Sequence, residues 1–376
     1  MKIIVLGTEC WTFEKFRGSL IKKLVSNGHQ VIAVGSDMNT ESFHFLKEIG
    51  VSYYHVGFAE GRKDFFSFFL SLHKIYKIFS TFKPDVCLAF FLKPILTASM
   101  LKIFIRFKQI SLVEGLGHAF SSKHSFLFKL IMRKCLYFIT FQSDNIFCLN
   151  YMDKDDIIKC SSKKFSNKFE ILTGIGVDLD YYRFVKTIPD EFTFLFLSRL
   201  LKSKGLEEFI QAAIILKKKG SKAKFLVFGQ PDFTLYGYSI EKLKELNKEG
   251  IIVYGGIIHD VRSVISNCSV LVLPTFYREG LPRCIQEAMS MGKPVITTKE
   301  SGCSNIIVDK SNGFIIPSRN VDALVDKLEW FCNNPRDLNL LSINSRRTAE
   351  LHFNCKNTDK IIYKVITNSF KKYFLN

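Results

Sequence analysis

Short apolar runs that end in glycine or a polar residue alternate with amphipathic stretches along the chain, and the alternation occurs twice. Runs of that length suit buried strands, and amphipathic stretches between them suit covering helices, so the pattern predicts βαβ units and parallel sheets. In the first series, residues 2–6, 30–34, 85–91 and 109–113 read as strands, with a helix at 16–27 that Asn27-Gly28-His29 stops. In the second series, strands are expected at 192–198, 224–228, 251–254, 270–273 and 294–297, with a helix at 206–219. Between the two lies Thr173-Gly174-Ile175-Gly176-Val177-Asp178, followed by a polar segment through Asp190. The fold class expected is therefore α/β, with two Rossmann-like, doubly wound domains. Their expected spans are 1–185 and 186–356, with a hinge at 183–190. A helix at about 357–370, within a tail of 357–376, is expected to pack back on the first domain. A chain of 376 residues exceeds the size at which single cores usually stop growing, in keeping with two domains.

Composition is globular, with 47% apolar and 23% charged residues. The longest apolar candidate, 87–101, is interrupted by Lys93-Pro94, so no membrane-spanning helix is expected. The amino-terminal run Met1 to Gly7 is shorter than a signal-peptide core and lacks a small-residue cleavage site. It is expected to be the first buried strand. Ten cysteines are scattered without a CxxC pair or a Cys/His cluster at zinc spacing, so no metal or redox site is expected and a reducing compartment fits. The net charge of +18 is uneven, since residues 62–134 hold 13 Lys/Arg against three acids. The same stretch carries Phe65, Phe66, Phe68, Phe69, Phe104, Phe107, Phe126 and Phe128. Cations beside apolar anchors are what contact with an anionic membrane surface requires. A basic solvated face over ordinary helices is the plainer alternative.

Two segments carry candidate chemistry. Tyr277-Arg278-Glu279-Gly280-Leu281-Pro282-Arg283-Cys284-Ile285-Gln286-Glu287 follows an apolar strand, and Pro282 with Gly280 suits a loop that opens a helix at about Leu281. A helix start at the carboxyl end of a parallel strand is where doubly wound sheets bind phosphates. Glu279 and Glu287 are too far apart to act as one carboxylate pair and suit a ligand that spans both; a solvated helix face is the alternative. The second segment, Ser198-Arg199-Leu200-Leu201-Lys202-Ser203-Lys204-Gly205, sits between a strand and a helix. It brings two cations to the same edge, where they can neutralise a departing diphosphate without a metal.

Arg199 with Lys204-Gly205, the Glu279-x7-Glu287 pair within Glu-Gly-Leu-Pro, Met291-Gly292-Lys293-Pro294-Val295 and Asn312-Gly313-Phe314 occur in an order that resembles glycosyltransferase family 4. Gly174-x-Gly176-Val177-Asp178 looks like the segment leading into that family's second domain, and the match covers about 170–335. Glu114-Gly115-Leu116-Gly117 and Arg278-Glu279-Gly280-Leu281-Pro282 are similar to bacterial enzymes that build surface glycans, several of which transfer N-acetylgalactosamine or a related sugar to undecaprenyl-diphosphate-linked saccharides. The resemblance implies the GT-B arrangement, two Rossmann-like domains facing a central cleft, and retaining transfer from a nucleoside diphosphate sugar. It implies that Arg199 and Lys204 bind the donor diphosphate, assisted by backbone amides near Gly280, Leu281 and Pro282. Glu287 would take the ribose and Glu279 the hexose, while Gly7 would allow close approach to the donor phosphates. Glu114 falls near an acceptor-side position where many members carry His-Gly, and His118 follows; which of the two meets the reacting centre stays open. Asn305 stands where many relatives have a Glu, so an acidic role there is lost.

The donor implied is UDP-linked, with no cofactor and no metal. The only DxD string, Asp178-Leu179-Asp180, belongs to the inter-domain segment. The acceptor implied is an undecaprenyl-diphosphate-linked saccharide of O-antigen, capsule or glycan synthesis, and the location is the cytoplasmic face of the plasma membrane, as a peripheral protein. A non-enzymatic basic protein of the same fold, binding nucleic acid or membrane, is the alternative from another class. Against nucleic acid, no helix-turn-helix, zinc-finger or RNA-binding signature accompanies the charge.

Overall fold

A computed structural model of the chain describes residues 1–37, 39–57, 65–116, 125–186, 191–233, 236–276, 280–300, 302 and 304–374, with backbone alone at 65–69 and 369–374. It divides into two compact units, Met1–Gly176 with Cys355–Asn376, and Val177–Asn354.

The first unit runs β1 (Lys2–Leu6), α1 (Cys10–Lys15), α2 (Gly18–Ser26), β2 (Gln30–Gly35), α3 (Thr40–Glu48), β3 (Ser52–His55), α4 (Phe65–Phe82), β4 (Val86–Phe90), α5 (Leu92–Leu101), β5 (Lys108–Val113), α6 (Phe126–Gln142), β6 (Asn145–Cys148), α7 (Tyr151–Cys160) and β7 (Phe169–Ile171). Its parallel sheet has the order β3-β2-β1-β4-β5-β6-β7. Strand side chains alternate between two layers. Ile4 and Leu6 join Ile75, Phe79, Ile95 and Leu136 from α4, α5 and α6. Ile3 and Val5 join Phe13, Leu20, Leu24 and Leu46 from α1, α2 and α3. Because both faces are covered at the centre of the sheet, β1, β2 and β4 read as near-continuous apolar runs.

The second unit runs β8 (Thr193–Leu197), α8 (Leu206–Lys218), β9 (Lys224–Phe228), α9 (Ile240–Lys248), β10 (Val253–Gly256), α10 (Arg262–Ser266), β11 (Val270–Leu273), α11 (Arg283–Ser290), β12 (Val295–Thr298), β13 (Gly313–Ile316), α12 (Val321–Asn333) and α13 (Leu338–His352). Its parallel order is β10-β9-β8-β11-β12-β13. Its core holds a cluster of aromatic rings: Phe194, Phe196, Phe209 and Phe225 are fully buried, and their rings meet at 5.5–5.8 Å. Each such burial contributes roughly 1.5–3 kcal/mol. The final helix, α14 (Cys355–Phe374), returns to the first unit and packs against α2.

The boundary falls earlier than the expected one after residue 185. The Val177 amide donates to the Phe353 carbonyl and the Val185 amide to the Met291 carbonyl, and the Tyr182 hydroxyl reaches Glu287. Residues 177–185 are thus bonded into the second unit, and the expected hinge at 183–190 is in part fixed structure; 187–190 lie outside the described residues. The chain leaves and re-enters at one place, where Gly176 sits so close to Cys355 that a Cβ would lie 2.6 Å from its Cα. The expected helix at 16–27 is α2, and a separate short helix, α1, precedes it across Phe16 and Arg17. Strands β3, β6, β7 and β13 had no counterpart in the sequence reading.

Two family motifs turn out to be packing devices. Lys293 is fully buried, and its ammonium donates to the Ser266 carbonyl at 2.9 Å; burial lowers its pKa. Asn312, 2% exposed, accepts from the Val308 amide and donates to Ile306 carbonyl and Thr348 hydroxyl. A Cβ on neighbouring Gly313 would meet the Val295 carbonyl oxygen at 1.9 Å. Gly313→Ala is therefore expected to destabilise the protein by about 1–3 kcal/mol, read as a lower urea midpoint at unchanged slope.

Candidate functional site

The strand order of the second unit reverses between β8 and β11, and ligands in open parallel sheets bind outside the carboxyl ends of the strands at such a reversal. The segments leaving these two strands are bonded together. The Ser203 carbonyl, in a 3₁₀ turn Lys202–Lys204, accepts from the Phe276 amide at 3.0 Å and from the Thr275 hydroxyl at 3.2 Å. Gly205 adopts φ +80°, and a Cβ there would lie 2.2 Å from the Pro274 carbonyl oxygen. Only glycine allows both the left-handed conformation and this approach. The loop is held from its other side as well, by bonds from the Leu200 amide to Gln230 and from the Lys202 amide to Tyr236. Arg199 is exposed on it, and Lys204 is 6% exposed.

After β11 the chain passes Gly280 and Leu281, both buried, to α11. Pro282 is the N-cap, with ψ 127°, so the helix begins at Arg283 rather than at Leu281. The amides of Ile285 and Gln286 turn back to the Pro282 carbonyl. The positive end of this helix therefore lies at the carboxyl edge, beside the strand reversal.

Glu287, one turn into α11, is 7% exposed. Its Oε1 accepts from the Tyr182 hydroxyl at 2.8 Å and from Arg283 Nε at 3.0 Å. Burial, and next the adjacent Glu287 carboxylate, raise the Tyr182 pKa, so its hydroxyl stays protonated and donates. Neighbouring Tyr181 lies against the Arg262 guanidinium, 3.7 Å from its ring centroid, and Arg262 pairs with Asp260 at 2.6 Å. Tyr182, Arg283 and the Tyr181–Arg262 stack were missed in the sequence. Arg283 had a readable signal, its i,i+4 spacing to Glu287; Tyr182 had none. Asp178 of the DxD string accepts from the amides of Asp180 and Tyr181, which makes it a turn cap.

Of the expected site residues, the structure brings Lys204, Gly280, Leu281 and Pro282 to the β8–β11 edge with Arg199 on the same loop as Lys204, and places Glu287 on the helix that starts there. Glu279 and His118 lie outside the described residues. Gly7 and Glu114 belong to the first unit. Gly7 follows β1, and a Cβ there would touch the Phe13 ring at 3.0 Å, so its small size is needed for local packing. Glu114 follows β5 and forms an ion pair with Arg17, which is 4% exposed. The Arg17 guanidinium lies 4.1 Å from the Phe90 ring centroid.

Residues 180–348, most of the second unit, match the sequence family described as glycosyl transferases group 1. The whole chain has the GT-B fold: it superimposes on Anabaena HepE in complex with UDP and glucose with a TM-score of 0.81, at 15% identity, over 98% of this chain and all of that one. In sequence it is 27% identical over 191 residues to the capsular polysaccharide biosynthesis glycosyltransferase CapM of Staphylococcus aureus, covering 51% of this chain and 49% of that protein. It is 28% identical over 249 residues to the N,N'-diacetylbacillosaminyl-diphospho-undecaprenol alpha-1,3-N-acetylgalactosaminyltransferase of Campylobacter jejuni, covering 62% of this chain and 63% of that protein. The chain thus spans between about half and under two thirds of these relatives' lengths.

The Tyr182 hydroxyl fixes the Glu287 carboxylate from a distant part of the chain. Tyr182→Phe is expected to weaken nucleotide binding by about 1 kcal/mol, several-fold in Kd, with little loss of thermal stability. Titration calorimetry with UDP checks it.

Proposed function

We propose that the protein is a retaining glycosyltransferase that moves a hexosyl or N-acetylhexosaminyl group from a UDP-linked sugar to a lipid-linked saccharide in bacterial surface polysaccharide synthesis. The observation that supports this reading is that the loop bearing Lys204 is hydrogen-bonded, at the β8–β11 reversal, to the segment after β11 from which the chain enters α11 and Glu287. In this reading Arg199 and Lys204 neutralise the diphosphate as it leaves, together with the amides near Gly280, Leu281 and Pro282. Glu287 accepts hydrogen bonds from the ribose, and Glu279 contacts the hexose. The bond from the anomeric carbon to the diphosphate oxygen breaks and a bond to the acceptor hydroxyl oxygen forms on the same face. The hydroxyl proton passes to the departing phosphate. Fixed charges preorganised at the leaving group supply the main catalytic effect in this reading, with the two cations taking the charge-neutralising role that a metal would otherwise fill.

UDP is favoured as donor nucleotide by the UDP complexes among proteins of the same fold. The acceptor class is supported by the Campylobacter relative, whose name specifies a diphospho-undecaprenol substrate. Glu114, with His118 as the open alternative, is assigned to the acceptor side. Calorimetry with UDP and GDP tests the donor site: UDP binds tightly, GDP more weakly, and Arg199→Ala and Glu287→Ala each raise the UDP Kd at least about tenfold. Binding of neither nucleotide sinks the reading.

We place the protein on the cytoplasmic face of the plasma membrane as a peripheral protein. Among the described residues no helix is long and apolar enough to cross a membrane. The first two turns of α6 instead expose Phe126 (83%), Leu127 (64%) and Ile131 (51%) beside Arg133 and Lys134, and Phe104 is 75% exposed after α5. Apolar anchors next to cations suit insertion at an anionic interface. Phe126→Asp/Leu127→Asp is expected to cut co-sedimentation with phosphatidylglycerol vesicles at least about tenfold, since each buried aromatic or aliphatic anchor is worth roughly 1.5–3 kcal/mol. UDP affinity should stay unchanged.

A further inference from the structure

We infer that Arg17 is a positioning residue, which holds the Glu114 carboxylate at the edge of the first unit so that it accepts a hydrogen bond from an acceptor hydroxyl. This rests on the glycosyltransferase reading above and adds a residue and a role to it. The strand order of the first sheet reverses between β1 and β4, so a ligand of this unit is expected at the carboxyl ends of these strands and their neighbours. Three segments meet there. Arg17 lies at the break between α1 and α2, where its backbone (φ −126°, ψ −4°) leaves the helical region. Its guanidinium covers the ring of Phe90, the last residue of β4, and pairs with Glu114, the first residue after β5. Next to Phe90, Phe91 holds φ +68°, a left-handed conformation that a bulky residue keeps only where its surroundings enforce it.

The chemistry favours orientation over stability as the purpose of the pair. Two charges removed from water stabilise a fold no better than apolar side chains of equal volume, yet Arg17 is 4% exposed and the Glu114 side chain 11%. A guanidinium can stack on an aromatic ring and grip a carboxylate at once, which an ammonium cannot. Glu114 Oε1 is wholly buried on the Arg17 side, so the exposure that the side chain retains is left for a ligand. One further carboxylate faces the same cation: Asp359 of α14, whose pKa burial raises to about 6 against the opposing effects of Ser19, Lys23 and Arg17.

The test uses the full chain with UDP-N-acetylgalactosamine, UDP-N-acetylglucosamine, UDP-glucose and UDP-galactose as donors and farnesyl-diphosphate-linked N-acetylhexosamines as acceptors. The variants are Arg17→Met, Arg17→Lys, Glu114→Gln, the Arg17→Met/Glu114→Gln pair, and Asp359→Asn as control. Expected are a kcat loss on the order of 10²-fold in Arg17→Met and Glu114→Gln, partial recovery in Arg17→Lys, and a double variant no worse than either single one. UDP affinity and donor KM stay at wild-type values throughout, and Asp359→Asn transfers normally. If Arg17→Met or Glu114→Gln lowers only the melting temperature, with kcat per folded molecule intact, the pair is structural and the inference is overturned. If Arg17→Met does not fold, the isosteric Glu114→Gln decides alone. A wild-type protein that binds UDP but transfers to none of these acceptors overturns the acceptor class and this inference together, whereas failure to bind UDP overturns the function itself.

Discussion

The Ser203 carbonyl is the point on which the second unit's site depends. It accepts from both the amide of Phe276 and the hydroxyl of Thr275, and thereby ties the loop after β8 to the segment after β11. Gly205, pressed on the Pro274 carbonyl, removes the side chain that would hold these segments apart. Lys204 is consequently fixed on a rigid turn rather than on a swinging loop. A cation so held needs no reorganisation when charge develops near it, which is what gives such groups their effect in a closed site.

Both units solve the same problem with different chemistry. Each sheet reverses its strand order once, and each gathers polar groups at the carboxyl ends around that reversal. The second unit presents cations and a helix start, suited to phosphates. The first presents a carboxylate held by a buried guanidinium over an aromatic ring, suited to hydroxyls.

Much of this was legible in the sequence, for identifiable reasons. The strands at 2–6, 224–228 and 270–273 have the expected bounds, because strands buried on both faces are continuous apolar runs bounded by polar residues. β7 is only three residues and β3, at the sheet edge, is largely exposed, so neither leaves an apolar run to read. The helix at 16–27 was legible as α2, whereas the short α1 before it was not, and nothing in the sequence showed that Arg17 between them pairs with Glu114, almost a hundred residues away. The loop carrying Arg199 and Lys204 could be read from its place between a strand and a helix. Tyr182 could not, since it reaches Glu287 across 105 positions and sits in a segment whose polar composition suggested a linker. That bond, with those of the Val177 and Val185 amides, ties 177–185 into the second unit.

The most direct test of the central claim is a crystal structure of the protein with UDP bound. The account predicts the diphosphate within hydrogen-bond distance of Lys204 Nζ and the amides at the start of α11, with a ribose hydroxyl on the Glu287 carboxylate. UDP bound elsewhere, with Lys204 and Glu287 untouched, would contradict it.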